Sequence, residues 1–384
     1  MGNLTPLFND EFTDLPLKRA LAQVLKKRDA GAKVVGAYCS YAPVELIWAM
    51  GGVPAVLCAF SNAAIPKAEE TLPANLCPLI KSSYGFIELK TCPFFEVTDA
   101  VVGETTCDGK KKMFELIAEK RPLHVLDLPQ CPTNEGAAAY WRHSINGFKT
   151  FLEKSFDTSI SEAALEQAIQ ETNRKNRLVE QILGFGAHRP AVITWQEMYD
   201  VTSYAMVTGG SEAIEKLQEI LAILTERREK KMFTSPEGTK RVLLTGCPVG
   251  GDVLKVLKLV DEEGAAIVGL DSCTGLKAYA GRIEEKSGDP LLAIAQRYLQ
   301  IPCACMTPNL RRMEVLKEQV DLLKPDLVID LVLQACHTYN VEAVKVESLV
   351  RNELGTNYLK IVTDFSSQDV GQLKTRIGAA LEMC

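Results

Sequence analysis

Arg241-Val-Leu-Leu-Thr-Gly246-Cys247 is a short apolar run that stops at a glycine and delivers a cysteine, and a helical pattern follows from Asp252. The same grammar recurs downstream. Ala265-Ala-Ile-Val-Gly-Leu270 runs into Asp271-Ser-Cys273-Thr-Gly275, and Asp326-Leu-Val-Ile-Asp-Leu-Val-Leu333 runs into Gln334-Ala-Cys336-His337. Tyr358-Leu-Lys-Ile-Val-Thr363 closes on Asp364. Short apolar runs alternating with helical patterns are the signature of strands buried on both faces of a parallel sheet. Upstream, Lys33-Val-Val-Gly-Ala-Tyr-Cys39, Asp99-Ala-Val-Val-Gly103 and Leu123-His-Val-Leu-Asp-Leu128 follow the same plan.

Between these two zones the sequence is helical in pattern and free of cysteine. Ser161-Glu-Ala-Ala-Leu-Glu-Gln-Ala-Ile169 and Ser211-Glu-Ala-Ile-Glu-Lys-Leu-Gln-Glu-Ile-Leu221 each open with a serine closely followed by acidic residues, a helix-start signal. The expected fold is α/β: two Rossmann-like domains with parallel sheets plus a helical insert or cap. The expected division is an N-terminal α/β domain over 1–135, a helical segment over 136–237 and a C-terminal α/β domain over 238–384. The two sheet zones look like two copies of one plan, with no repeat visible residue by residue.

The chain has 384 residues, too long for one ordinary domain of roughly 100–200. Hydrophobic residues make up 47% and charged residues 24%, which excludes disorder and fibrous repeats. Forty-three basic against 49 acidic residues leave a net charge of −6, so nucleic acid is not an expected partner. The most apolar stretch, Ala42 to Phe60, contains Pro43, Glu45, Gly51, Gly52 and Pro54 and does not read as a membrane helix. The N-terminus has no basic segment before an apolar core, and Pro6 breaks the myristoylation pattern after Met1-Gly2. No membrane association and a cytoplasmic location are expected.

Twelve cysteines against four histidines is the unusual feature. In a reducing compartment such a supply points to metal binding or catalysis rather than disulfides. Cys39, Cys107, Cys247, Cys273 and Cys336 all fall just beyond an expected strand, where functional groups gather in open parallel sheets. Cys77 enters a helix from a proline-bounded loop, and Cys303 and Cys305 share Ile301-Pro-Cys-Ala-Cys305. Cys58, Cys131 and Cys384 read as packing residues, as does Cys92, which opens the strand-like run Thr91-Cys-Pro-Phe-Phe95. There is no Cys-x-x-Cys, and one zinc ion would leave several strand-end thiols unused. An iron–sulfur cluster draws thiolates from separate loops and needs no local spacing, so a cluster between the domains is expected, its nuclearity open. Gly103-Glu-Thr-Thr-Cys-Asp-Gly109-Lys-Lys111 misses the phosphate-loop spacing, and Gly246-Cys-Pro-Val-Gly250-Gly251 misses the dinucleotide one. Electrons are therefore expected from a partner.

Asn75-Leu-Cys77-Pro-Leu-Ile-Lys-Ser82-Ser83, Thr106-Cys107-Asp108, Leu333-Gln-Ala-Cys336-His337 and Tyr38-Cys-Ser-Tyr-Ala-Pro-Val-Glu45-Leu46 resemble the 2-hydroxyacyl-CoA dehydratase / benzoyl-CoA reductase family along nearly the whole chain. The resemblance implies that Cys77, Cys107 and Cys336 hold a [4Fe-4S] cluster. Gly246-Cys247-Pro248, Cys273-Thr-Gly275, the Cys303/Cys305 pair and Gly103 to Met113 are similar to the double-cubane branch of that family. That likeness implies a homodimer in which each subunit binds an [8Fe-9S] cluster through six cysteines. It also implies a separate ATP-hydrolysing [4Fe-4S] activator protein that supplies low-potential electrons for a small-molecule substrate, unsaturated or nitrogenous. The expected six are Cys77, Cys107, Cys247, Cys273, Cys305 and Cys336, with Cys303 or Cys39 as replacements for one of them. The additional cubane is assigned to Cys247, Cys273 and Cys305.

The alternatives are a 2-hydroxyacyl-CoA dehydratase subunit with a single [4Fe-4S] cluster, and a non-enzymatic electron carrier or cluster store. His337 is the candidate proton donor, against a plainer reading as a helix cap. Glu45, Ser82, Ser83, Glu104 and Gln334 are candidates for hydrogen bonds that tune a cluster. Lys110-Lys111-Lys112 reads as a solvated helix face, with donor docking as the second reading.

Overall fold

The computed structural model describes residues 4–12 and 15–384; Met1 and Gly2, on which the N-terminal reading rests, lie outside them. Two four-stranded sheets, each wholly parallel, form two Rossmann-like units. The first contains β1 (Val34–Ala37), β2 (Val53–Val56), β3 (Ala100–Glu104) and β4 (Leu123–Leu126), in the spatial order β2-β1-β3-β4. The second contains β5 (Arg241–Gly246), β6 (Ala266–Asp271), β7 (Leu327–Leu333) and β8 (Asn357–Thr363), in the order β6-β5-β7-β8. The two orders are the same. In each sheet the chain moves outward from the first strand to an edge and returns to its other side, which opens a crevice beyond the carboxyl ends of the two central strands. Those strands, β1 and β3 in one sheet and β5 and β7 in the other, are buried along their whole length, hence their continuous apolar sequence.

One strand is absent from the sequence reading, and two local readings are corrected. Pro54 lies inside β2, an edge strand, where a missing N–H costs no ladder bond on the open side. Thr91 to Phe95 forms no strand; Pro93 opens a short helix, and the Cys92 sulfur caps it by accepting from the Phe95 N–H at 3.4 Å. Ser161 does cap the helix Glu162–Leu183, accepting from the Ala164 N–H at 3.1 Å. Ser211 caps nothing, because the helix Gly210–Glu229 starts one residue before it.

The helices between the sheets are built into both. Trp195–Val207, opened by a reciprocal Thr194/Glu197 capping box, packs on β2 and β6, while Glu162–Leu183 packs on the short helix Val44–Ala49. Ala137–Phe156 buries Trp141, Ile145, Phe148 and Leu152, a stripe at helical spacing. The two sheet units meet at a seam around Phe60. Its carbonyl accepts from the Asp252 N–H at 2.7 Å, and its ring packs against Phe365 with centroids 6.1 Å apart. Gly251 must be glycine there: its φ is +43°, and a Cβ would come within 2.3 Å of the Phe60 carbonyl oxygen. Among the described residues no helix is long and apolar enough to cross a membrane.

Candidate functional site

The crevices of the two sheets face one cavity of about 500 Å³. Nine of the twelve cysteines line it: Cys39, Cys58, Cys77, Cys107, Cys247, Cys273, Cys303, Cys305 and Cys336. All six sequence candidates are on this wall, as are both named replacements. So is Cys58, which the sequence reads as packing; it stands beyond the end of β2, and its thiol donates to the Tyr38 carbonyl at 2.9 Å. Cys92, Cys131 and Cys384 lie off the cavity.

Backbone turns aim the thiols. Gly246 has φ +117°, and a Cβ there would sit 2.2 Å from the Leu331 oxygen, so the chain turns tightly off β5. The Cys247 N–H then donates to that Leu331 oxygen at 2.8 Å, and its sulfur accepts from the Leu333 N–H at 3.4 Å. Ala335, at φ +58°, makes the matching turn ahead of Cys336. Cys77 occupies the cap position before the helix Pro78–Glu88, and Cys107 the one before Asp108–Ala118.

The thiols fall into two groups. Cys247, whose sulfur takes the Leu333 N–H, lies beside Cys336, with Cys77 and Cys107 as further neighbours in the first group; Cys303 also bears on Cys336. Cys305 lies beside Cys303, with Cys273 and Cys39 as their neighbours in the second. Cys247 thus stands beside Cys336, and it also shares Tyr339 as a neighbour with Cys273 and Cys303. In each pair the neighbouring thiol favours the charged form of one sulfur: Cys336 and Cys303 lie below the ordinary value, while Cys247, mainly through burial, and Cys305 lie above it. Burial pushes Cys77 and Cys58 up to about 12 and Cys273 to about 11. Tyr339 stands at the second group, its hydroxyl 4.0 Å from the Cys303 sulfur while it accepts from Lys277 Nζ at 3.2 Å.

The polar residues sort differently from expectation. His337 is exposed on the cavity wall at the first turn of the helix His337–Ser348. Ser82 and Ser83 bond backbone, not sulfur: Ser82 bridges the N–H and C=O of Ser61, and Ser83 links Ala59 N–H to the Leu79 carbonyl. Gln334 is exposed. Glu104 is fully buried and pairs with Lys110 at 3.0 Å. Lys110 therefore points inward, leaving Lys111 and Lys112 as the solvated part of the lysine run. Glu45 accepts from the Tyr298 hydroxyl at 2.8 Å.

The donor set can be weighed against an iron–sulfur group. Among the described residues no three His, Cys, Asp or Glu side chains converge on a point that would hold one metal ion. The sulfurs instead surround a volume, from both sheets, which suits a group of cluster size with thiolate ligands. Sequence reasoning missed Cys58, hidden in an apolar run, and the inward-facing Lys175 and Arg297. Thr172 and Asn176 interrupt the buried stripe of Glu162–Leu183 at helical spacing; that polar break is the signal that marks this helix as lining a cavity.

Residues 39–384 match the family model described as 2-hydroxyglutaryl-CoA dehydratase, D-component. The chain is 39% identical over 379 residues to a putative dehydratase subunit, YjiM, of Escherichia coli, covering 98% of both chains. It is 24% identical to the lactoyl-CoA dehydratase subunit beta of Anaerotignum propionicum, over 93% of each chain. It is 20% identical to the (R)-2-hydroxyglutaryl-CoA dehydratase subunit beta of Acidaminococcus fermentans, over 93% of this chain and 94% of that one.

Proposed function

The chain belongs to the 2-hydroxyacyl-CoA dehydratase family, and from that premise we propose that it is an iron–sulfur reductase holding a double-cubane [8Fe-9S] cluster in the thiol-lined cavity. The observation that carries this reading is that nine cysteines line one cavity, eight of them in two groups of four. A single [4Fe-4S] cluster uses at most four thiolates. Two cubanes joined by a sulfide use six, and each group contains at least the three that one half requires. Cys77, Cys107 and Cys336 would serve one half, and Cys273 and Cys305, with Cys247, Cys303 or Cys39, the other. When bound, such a cluster stores and passes electrons at low potential. The chain's own residues shape the chamber. Cys336 and Cys303 are poised as thiolates, the form that binds metal. His337, at the cavity wall, can reach both solvent and a bound molecule, and is the proposed proton donor to a small unsaturated or nitrogenous substrate. The electrons would come from a separate ATP-hydrolysing [4Fe-4S] activator protein, and the working unit would be a homodimer in the cytoplasm.

The second reading is a 2-hydroxyacyl-CoA dehydratase subunit with one [4Fe-4S] cluster, favoured by the names of its relatives. Iron and sulfide measured on anaerobically purified protein separate the two: about eight iron atoms per chain for the double cubane, about four for the single one. Cys336→Ser and Cys273→Ser should each remove about half of the iron or more, and Cys92→Ser should remove none. Full iron in Cys273→Ser, with about four atoms in the parent, leaves the dehydratase reading.

A further inference from the structure

A buried ammonium and a phenol stand end to end behind the second group of thiols. Lys277 lies in the loop that follows β6, four residues after Cys273, and is 1% exposed. Its Nζ donates to the Tyr339 hydroxyl at 3.2 Å, and among the described residues this is its only hydrogen-bond partner. The buried carboxylates of the neighbourhood are engaged elsewhere: Asp271 accepts from Thr245 at 2.7 Å, and Asp330 faces Arg312 at 3.5 Å and Tyr358 at 3.0 Å. Tyr339 enters from the first turn of His337–Ser348, with Lys277 Nζ 5.3 Å and Arg312 Cζ 4.8 Å from its ring centroid. A phenol has one hydrogen to give. Lys277 occupies a lone pair, and the hydrogen goes to the Cys303 sulfur, 4.0 Å away. That sulfur is held in place in turn. Asn309 Nδ2 donates to the Cys303 carbonyl at 2.9 Å and to Glu342 at 2.8 Å, which ties the Cys303 loop to the helix that carries Tyr339. A cation buried so deeply costs several kcal/mol unless it is compensated, and a neutral hydroxyl compensates little of that. Negative charge on the sulfur beyond the hydroxyl supplies the remainder.

We propose that Tyr339, polarised by Lys277, is a positioning residue for the cluster: it donates a charge-assisted hydrogen bond to the Cys303 sulfur and raises the reduction potential of the cubane bound there. The sign follows from charge. Reduction adds negative charge to the ligating sulfurs, so a donor aimed at one of them stabilises the reduced state more than the oxidised one. The proposal rests on the cluster reading of the cavity, and it adds the residues that set the potential.

The test is a redox-poised electron paramagnetic resonance titration of the anaerobically purified protein, with iron counted on the same samples. Tyr339→Phe keeps the ring and removes only the hydroxyl. It should retain its iron and shift the reduction equilibrium about tenfold against the reduced form, about 59 mV lower for one electron. Lys277→Met should shift it in the same direction. Tyr358→Phe is the control from the same buried network: its hydroxyl bonds to Asp330 and to the Ala343 carbonyl, not to sulfur, and its potential should match the parent's. An unchanged or higher potential in iron-replete Tyr339→Phe overturns the proposal, as does an equal shift in Tyr358→Phe. Loss of iron from a folded Tyr339→Phe protein overturns it too, because the hydroxyl would then serve assembly rather than potential. An iron-free parent defeats the cluster reading itself, and this proposal with it, so the two failures are told apart by the iron count.

Discussion

Glu104 ends β3 with a carboxylate that is wholly buried, and Lys110 reaches it across the first turns of Asp108–Ala118. Its second oxygen, Oε1, has no hydrogen-bond partner among the described residues. Removing one member of such a pair strands the other. Lys110→Met should cost about 3 kcal/mol in chemical denaturation. The double change Lys110→Met with Glu104→Gln should recover most of that loss, because no uncompensated charge is left. Equal losses in the single and double variants would mean that the charge pair is not what matters. At this scale the sequence was legible where a cysteine broke a pattern and opaque where it continued one. Cys247 and Cys336 stand out at the ends of apolar runs. Cys58 sits inside Val56-Leu-Cys-Ala-Phe60 and looks like any small core residue. Lys110 and Lys175 lie in polar stretches whose inward-facing member is set only by the rotation of a helix against its neighbours.

Seven of the eight strands are visible in the sequence: β1, β3, β5, β6 and β7 as nearly continuous apolar runs buried on both faces, and the half-exposed edge strands β4 and β8 as short apolar segments. The exception, β2, carries Pro54 amid glycines, and its strand character depends on an edge position that composition does not reveal. Elements also fix charge states. His124, on β4, packs between Phe148 and Phe151 of Ala137–Phe156, with ring centroids 5.8 and 5.4 Å away. Burial lowers its pKa in the folded chain, whereas the unfolded chain takes up the proton near pH 6.5. The contribution of this residue to stability is therefore fully present above about pH 6.5 and is lost as the pH falls through the folded value. Melting temperatures at pH 7.5 and 5.5 should show a smaller acid loss in His124→Phe than in the parent. Identical losses would assign the acid sensitivity to other groups.

The whole molecule is closed by the Phe60 seam and by a cavity whose sulfurs come from both sheets. A cluster bound there would tie the two units together, and binding to the folded state alone adds to its stability. Iron removal by an anaerobic chelator should lower the melting temperature by about 5–10 °C and speed amide exchange at Phe60 to Asn62 and at Asp252. Unchanged melting and exchange would show that the units are held by packing alone. The shared strand order has a further consequence. Matching strand to strand pairs β1 with β5, β2 with β6 and β3 with β7. Cys107 and Cys336 then stand three residues past their strands, Cys58 and Cys273 two past theirs, and Cys39 and Cys247 two and one. The repeat that is invisible in residue identity survives as a spacing of sulfur, and the chamber has the logic of an interface between twins. Lys175 and Arg297 have no such counterparts on the wall: one comes from the intervening helices and the other from the second half alone. The chamber is even-handed in sulfur and lopsided in charge, so a molecule entering it has one way round to lie.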